Sequence, residues 1–308
     1  MKRIQYVLLL ACLMLSACKN DLVINGGSPD FNVEPLSAEF KKGTPVTFKF
    51  TGDAGMISFY SGEPLKQYEL RDGRTEKATG GTLAFTSAVS GGTQTNQFAV
   101  MASSDFNGNY ADIAEVKKAT WTDITSRFTL GTTTAFTAST AKDVTDMLVP
   151  GKPFYLAFRY TTRPQTVNGE ARTWMVQGIT FQSLTAVGNI TSVDMFTAGI
   201  RIVDENAKTL PARSTANTSR ITLLGNTFTA TNDPASEHWA ISAPISWEDI
   251  NVGPDRPVAI KGVTSTKLNS YTYTYTKAGT YKAYFLAQNA NVNANKMVVR
   301  QIDVKIAD

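Results

Sequence analysis

From Tyr271 to Tyr275 the chain alternates Tyr-Thr-Tyr-Thr-Tyr without a break. In a strand, residues two apart share a face, roughly 6.8 Å from one to the next. A period of two cannot lay one face on a helix, so this stretch has to be extended. The same period, with β-branched or aromatic content, recurs at 46–52, 56–62, 82–88, 97–103, 124–130, 153–162, 172–183, 192–204, 220–231 and 238–245. After the tyrosines come two more such runs, TYKAYFLAQN and KMVVRQIDVKI. Gly, Pro, Asn and Asp punctuate the runs at SGG, GKP, NGEA, TNDP and VGPD. Only AKDVTDML (141–148) has helical spacing, at Val144, Met147 and Leu148, enough for a turn or two. No tandem repeat is evident. The expected fold class is all-β, built as sandwiches.

The first segment is not part of that fold. Lys2 and Arg3 precede the apolar run Val7–Leu15, which is too short for a membrane span of about 20 residues. This is the form of a signal peptide, residues 1–18. Its end, Leu15-Ser16-Ala17-Cys18, resembles a bacterial lipobox. The resemblance implies cleavage before Cys18 and acylation of its sulfur. The polar stretch 19–30 reads as a tether. The short stretch after the cysteine, where only Asp21 is acidic, loosely resembles export signals of Bacteroidetes surface lipoproteins. It implies an outer-membrane, cell-surface location, with the periplasmic leaflet as the alternative.

The cysteine count narrows the chemistry. Cys12 and Cys18 are the only two, so a chain cut before Cys18 and acylated on it has no free thiol for a disulfide, a nucleophile or a metal. Losing Lys2 and Arg3 from the 30 basic residues leaves 28 against 26 acidic, a net charge of +2. That is no footprint for nucleic acid.

Few residues suggest catalysis. His238 is the only histidine, and no serine stands in a Gly-x-Ser-x-Gly turn, so a strand residue is its default reading. The acids are scattered, and neighbours such as Asp204-Glu205 or Glu248-Asp249 would point to opposite faces of a strand. No cofactor motif occurs. Asp105, Asn107, Asn109 and Asp112 alternate hard oxygens and form a calcium candidate. The alternative is a plain turn, since Asp and Asn also cap backbone N–H groups. Trp174 and Trp239 alternate with Val176 and Ile241 and belong in a core. Trp121 and Trp247 have polar neighbours and are the candidate platforms for stacking on a sugar face; packing against the other domain at the junction is the alternative.

Two architectural resemblances follow. YTYTYTKAGTYKAYFLAQNA reads as two strands joined by a tight turn at Lys277-Ala278-Gly279, and it resembles the last hairpin of PKD-type, immunoglobulin-like domains. There Tyr281 would take the tyrosine-corner role, its ring buried and its hydroxyl bonded to backbone. On that reading the tyrosine ladder is one wall of a core; the rival reading is an exposed ligand platform. FNVEPLSAEFKKGTPVTFKFTGDAGMISFYSGEP (31–64) resembles the opening strands of the same module. The two resemblances imply a discontinuous domain, 31–78 plus 251–308, with another inserted at 79–250. Within the insert, ATWTDITSRFTL, GKPFYLAFRYTT, ARTWMVQGITFQSLT and HWAISAPI resemble cleaved-adhesin or MAM-like jelly-rolls.

Taken together, ISFYSGE, AFRY and YTYTYTKAGTY resemble an uncharacterised family of Bacteroides surface lipoproteins whose members are often encoded beside Sus-type glycan-uptake systems. The resemblance implies a non-catalytic, lipid-anchored protein that binds polysaccharide beside a Sus-type transporter. An adhesion protein with protein partners is the alternative, and a glycan-active enzyme the second. If Cys18 is the acylated first residue, mass spectrometry of membrane-extracted protein finds lipid on it, and Cys18→Ala releases the chain from the membrane.

Overall fold

A computed structural model describes residues 27–37, 39–205, 214–224, 235–291 and 294–308. The described chain is mostly β, in several largely antiparallel sheets. It divides into two compact units, residues through Arg74 with Gly253–Asp308, and Thr75–Val252.

The first unit holds two sheets. One is formed by β1 (Phe31–Pro35), β3 (Pro45–Gly52) and β19 (Ser270–Thr274), in the order β1-β3-β19. Val46 lies opposite Tyr273 and Phe48 opposite Tyr271. The other has the order β18-β4-β20-β21-β2, with β2 (Glu39–Lys41), β4 (Met56–Tyr60), β18 (Val258–Lys261), β20 (Gly279–Ala290) and β21 (Asn295–Ala307). Alternation decides what each strand buries. Phe48, Phe59, Phe285, Ala283 and Ala287 are fully buried between the sheets, with rings of Phe48 and Phe285 5.0 Å apart, edge to face. The ladder joins this core: Tyr271 and Tyr273 are half-buried against Phe59, and Tyr275 is fully buried with its hydroxyl donating to Ser61 O at 2.9 Å.

The tyrosine segment differs from the expected hairpin. β19 and β20 do not pair; each belongs to a different sheet. The connection crosses the core because Tyr275 turns inward, where its ring stacks on Tyr281 at 4.5 Å. Tyr281 is half-buried, and its hydroxyl donates to Lys277 O at 2.9 Å.

The first unit closes on one ion pair. Arg74 Nε meets Asp255 Oδ1 at 2.8 Å and Nη2 meets Oδ2 at 2.9 Å, both side chains buried. Asp255 Oδ2 also accepts Gln67 N at 2.8 Å, and Arg74 Nη2 donates to Gln67 Oε1. Arg74 ends the first segment of the unit and Asp255 lies near the start of the second, so the pair fastens the chain where it leaves and returns.

The second unit has two larger sheets. One runs β13 (Arg201–Asp204), β16 (Ser236–Ile241), β10 (Tyr155–Thr162), β6 (Phe98–Ser103), β7 (Thr122–Asp123). The other centres on β5 (Arg74–Ser90) and β11 (Thr173–Thr185), flanked by β15 (Ile221–Leu223), β14 (Thr215–Ala216) and β17 (Asp249–Gly253). The short β8 (Thr137–Ala138) and β9 (Lys142–Asp143) also pair with β5, and β12 (Gly188–Asp194) pairs with β11. Phe85, Phe158, Phe154 and Phe181 fill the main core. A smaller cluster, Phe106, Val116, Tyr155, Trp239 and Ile241, gathers separately around the short helix Ile113–Val116.

Where a strand was expected at 124–130, the structure forms a 3-10 turn, Thr125–Arg127. The turn has a twin at Thr145–Met147, inside the segment with helical spacing. In the first, Asp123 Oδ1 accepts Thr125 N at 2.9 Å, while Ile124 N and Thr125 Oγ1 dock on Val100 of β6. In the second, Asp143 Oδ1 accepts Thr145 N at 2.7 Å, while Val144 N and Thr145 Oγ1 dock on Gly81 of β5. Phe128 and Leu148, three residues on from each threonine, are buried. Arg127 and Asp146 join the twins in a bidentate pair at 2.6 Å. So Asp-Ile-Thr-Ser-Arg-Phe and Asp-Val-Thr-Asp-Met-Leu are one motif used twice, on one sheet each.

The Arg74–Asp255 pair sets a stability expectation. Removing one partner of a buried pair leaves an uncompensated charge and costs about 3–5 kcal/mol, so Asp255→Ala is expected to lose that much in urea unfolding. The Arg74 guanidinium, against the opposing effect of burial, holds the Asp255 carboxyl below its ordinary value. Its contribution is therefore present above the unfolded value of about 3.9 and is lost as pH falls through the lower folded value. Asp255→Asn is expected to flatten that acid limb of the stability curve.

Candidate functional site

One concave surface site lies in the first unit, where the chain leaves β4. Gly62 has φ +81°, and a Cβ there would sit 2.5 Å from Lys282 O, so the chain can hug β20 only with glycine. Gly62 N donates to Lys66 O, and the segment then winds into the 3-10 turn Tyr68–Leu70. Tyr68 comes down on β20, its ring stacked on Tyr284 at 4.6 Å. Tyr60 meets Tyr68 edge-on at 5.5 Å, and the Arg71 guanidinium lies 4.4 Å from the Tyr68 ring centre. Gln67, bonded to the Arg74–Asp255 pair, fixes the back of the turn.

These placements leave a concavity of about 450 Å³ lined by Gly62, Gln67, Glu69, Leu70, Thr280 and Lys282. Tyr284 stands beside it, with its hydroxyl 2.9 Å from Glu69 Oε1 and 2.8 Å from Gln301 Oε1. Burial, then the Glu69 carboxylate, pushes the Tyr284 hydroxyl up to about 12, so it stays a neutral donor across the biological pH range. The recess thus offers a carboxylate, an amide, a hydroxyl and an ammonium, with the Tyr284 ring outside its lining, groups that can hold a polyhydroxylated ligand by hydrogen bonds.

The residues singled out in the sequence lie elsewhere. Trp247 lines a second concavity, about 550 Å³, with Gly151, Lys152, Pro153, Ser246, Glu248 and Asp249. Yet it is only 6% exposed, belongs to the main core, and donates Nε1–H to Lys152 O at 3.1 Å. It is a wall of that recess and presents no open face for stacking, contrary to its expected role as a platform. Trp121 is half-buried, packed on Phe106 and on Trp239 at 5.0 Å, with Nε1–H bonded to Val116 O. It lines neither concavity. Polar sequence neighbours misled for both: neither lies in a strand, and each indole packs on apolar residues while its Nε1–H meets a backbone carbonyl.

The calcium candidates serve the backbone. Asp105 Oδ1 accepts Ser103 Oγ and Thr120 N, Asn107 accepts Asn109 N, Asn109 accepts Ala111 N, and Asp112 caps the helix at Glu115 N. Among the described residues no group of three or more His, Cys, Asp or Glu side chains is gathered as a metal site. Cys18 lies outside the described residues.

One array escaped the sequence. His238 Nδ1 is 2.6 Å from Asp204 Oδ1, its Nε2 is 2.9 Å from Ser236 Oγ, and Ser236 Oγ is 2.7 Å from Thr162 Oγ1. The order is that of a nucleophile, base and orienting acid. The arrangement that satisfies every atom has Nδ1–H on Asp204, the Ser236 hydroxyl on Nε2, and the Thr162 hydroxyl on Ser236. Ser236 is 1% exposed, with its oxygen engaged on both sides, so no substrate atom reaches it. It is a buried polar connection among β10, β13 and β16.

A family model described as "Domain of unknown function (DUF5017)" matches residues 17–200, well over half of the chain, and the protein belongs to that family. No curated protein matches the chain. No solved structure matches it either.

Truncating His238 to alanine strips both Asp204 and Ser236 of a partner. Ser236 keeps Thr162, so the main cost is that of the Asp204 carboxylate losing its donor, about 1–3 kcal/mol, to be read from urea unfolding. The folded protein is expected not to react with a fluorophosphonate; labelling at Ser236 would show the serine to be accessible.

Proposed function

We propose that this DUF5017 protein is a non-catalytic, lipid-anchored protein of the outer-membrane cell surface that binds glycan chains for a Sus-type uptake system. The observation that carries the reading is the polar concavity lined by Gln67, Glu69, Thr280 and Lys282, with Tyr284, stacked on Tyr68 and bonded to Glu69, adjoining it. A sugar presents an apolar ring face and a belt of hydroxyls, and this recess with the adjoining ring offers a partner for both. The concavity moves the expected binding locus from Trp121 and Trp247 to the first unit. On this reading the first unit is a PKD-type, immunoglobulin-like sandwich, and the second is a jelly-roll inserted into it. Anchoring rests on the lipobox resemblance at Cys18. The non-catalytic reading is supported by the burial of Ser236.

A second reading, adhesion to a protein partner, draws on Phe196. This residue is 72% exposed on a turn pinned by Asp194, whose Oδ1 accepts both Thr197 N at 2.9 Å and Thr197 Oγ1 at 2.8 Å. A rigid, exposed aromatic is a suitable anchor for a protein interface.

A glycan array followed by calorimetry separates the two. Glycan binding is expected to weaken about tenfold or more in Tyr284→Ala, the scale of losing a central aromatic contact, and to be unchanged in Trp121→Ala and Phe196→Ala. Binding to no polysaccharide, together with saturable protein binding lost in Phe196→Ala, would establish adhesion instead.

A further inference from the structure

An open strand edge exposes a row of N–H and C=O groups, and proteins blunt such edges with charge, proline, bulges or brevity. Most edges of the first unit are treated in this way. β2 has three residues, two of them charged. β18 has four, with a register shift before Lys261. β1 carries Glu34 and ends at Pro35. The stretch of β21 beyond its pairing with β2 carries Lys296, Arg300 and Asp303.

β19 is different. It pairs with β3 on one side, and among the described residues no strand lies on the other. Its register with β3 is regular from Ser270 to Thr274. From Asn269 to Thr276 there is no charge, proline or glycine, and Lys267 and Lys277 bracket the stretch. Uncharged, β-prone and unbulged, it has the properties of a segment that adds another strand.

We infer that this edge pairs with the same edge of a second copy of the chain, antiparallel, about a two-fold axis through Thr272. The argument for a second copy is self-complementarity. A two-fold axis perpendicular to a sheet keeps each side chain on its own face, so it pairs residues of equal parity. Centred on Thr272, it sets Thr272 against its own copy, Ser270 against Thr274, and Tyr271 against Tyr273. Thr–Thr, Ser–Thr and aromatic–aromatic pairs are the favourable cross-strand pairs. The exposed hydroxyl residues fall on the outer face. On the inner face the half-buried Tyr271 and Tyr273 gain the cover that each lacks alone. The same register sets Lys267 against Lys277 of the second copy, which confines pairing to the strand itself. Because the contact is two-fold it closes on itself, giving a dimer and no fibre. So short a seam buries less than a standard interface, so the dimer dissociates on dilution.

The inference is independent of any glycan site. Sedimentation velocity of the purified chain across a dilution series is expected to show a reversible monomer–dimer equilibrium. Thr272→Lys places like charges face to face at the axis and is expected to leave monomer only, with its thermal midpoint unchanged because residue 272 is exposed. Thr272→Val keeps a β-branched residue and the dimer. With Cys12 and Cys18 replaced by serine, Thr272→Cys is expected to cross-link to itself on mild oxidation. Lys49→Cys, one strand further in, is expected not to. A chain that stays monomeric throughout the series, or a folded Thr272→Lys variant that dimerises like the native chain, overturns the proposal.

Discussion

The first unit depends on the buried pair Arg74–Asp255. Its two segments are separated in sequence by the whole of Thr75–Val252, so no local turn sets one against the other. Closing so long a loop costs entropy, though the cost grows only slowly with length. The hydrophobic contacts of Phe48, Phe59 and Phe285 hold the sheets together but are tolerant of small slips. A bidentate guanidinium–carboxylate pair is not. Its geometry is fixed, and leaving either partner unpaired in a dry site is costly. The desolvation cost is offset only because the hydrogen bonds are filled: Asp255 also takes Gln67 N, and Arg74 also takes Gln67 Oε1. Through Gln67 the same pair sets the turn that carries Tyr68 and Glu69. The concavity is therefore shaped by the closure of the unit.

In the second unit the comparable work is divided. The twin turns after Asp123 and Asp143 each satisfy a strand's backbone through one N–H and one threonine hydroxyl, and each buries a large apolar residue behind it. Arg127 and Asp146 tie the twins together, though this pair is partly exposed and contributes less than a buried one. The buried chain Asp204–His238–Ser236–Thr162 connects three strands by polar contacts where apolar packing alone would not fix their register. Its resemblance to a catalytic order is a consequence of what imidazole requires: one donor, one acceptor, and something to hold each.

The β class was legible because alternation is a local property, and the strands around Phe48, Phe158, Phe181 and Phe285 sit where the period placed them. What the sequence hid was the side-chain contacts made between distant segments. Tyr284 alternates with the buried Ala283 and Phe285, but nothing in its neighbourhood announces Tyr68, brought there by the Gly62 turn. His238 lacks a serine in a sharp turn; its partner is two places away on the same strand, and Asp204 comes from another. Trp247 lies outside any strand, and its polar neighbours carry no sign of the core it packs into. The segment 124–130 has strand composition, yet Asp123 caps Thr125 and curls the chain. Its twin at 143–148 was masked by differing residues at four of six positions. The cue present in both is Asp, a β-branched residue, then Thr, a cap followed by a docking hydroxyl.

The tyrosines of the C-terminal segment show why one residue type recurs there. Each needs a large apolar surface on one side and a polar tip on the other, in different proportions. Tyr275 lies wholly inside, and its buried hydroxyl has the Ser61 carbonyl as partner. Tyr273 is half inside, its hydroxyl held by Glu63, and burial with that carboxylate pushes it up to about 12. Tyr281 reaches the Lys277 carbonyl and covers Tyr275. Tyr284 faces out and is bonded to Glu69. Phenylalanine would fill the same space at each position but would leave Ser61 O without its partner inside and remove the donor beside Glu69 outside. The ladder is thus mainly a wall. The same chemistry, an aromatic body with a hydroxyl tip, lets Tyr284 on the opposite face of its strand stack on Tyr68 and bond Glu69.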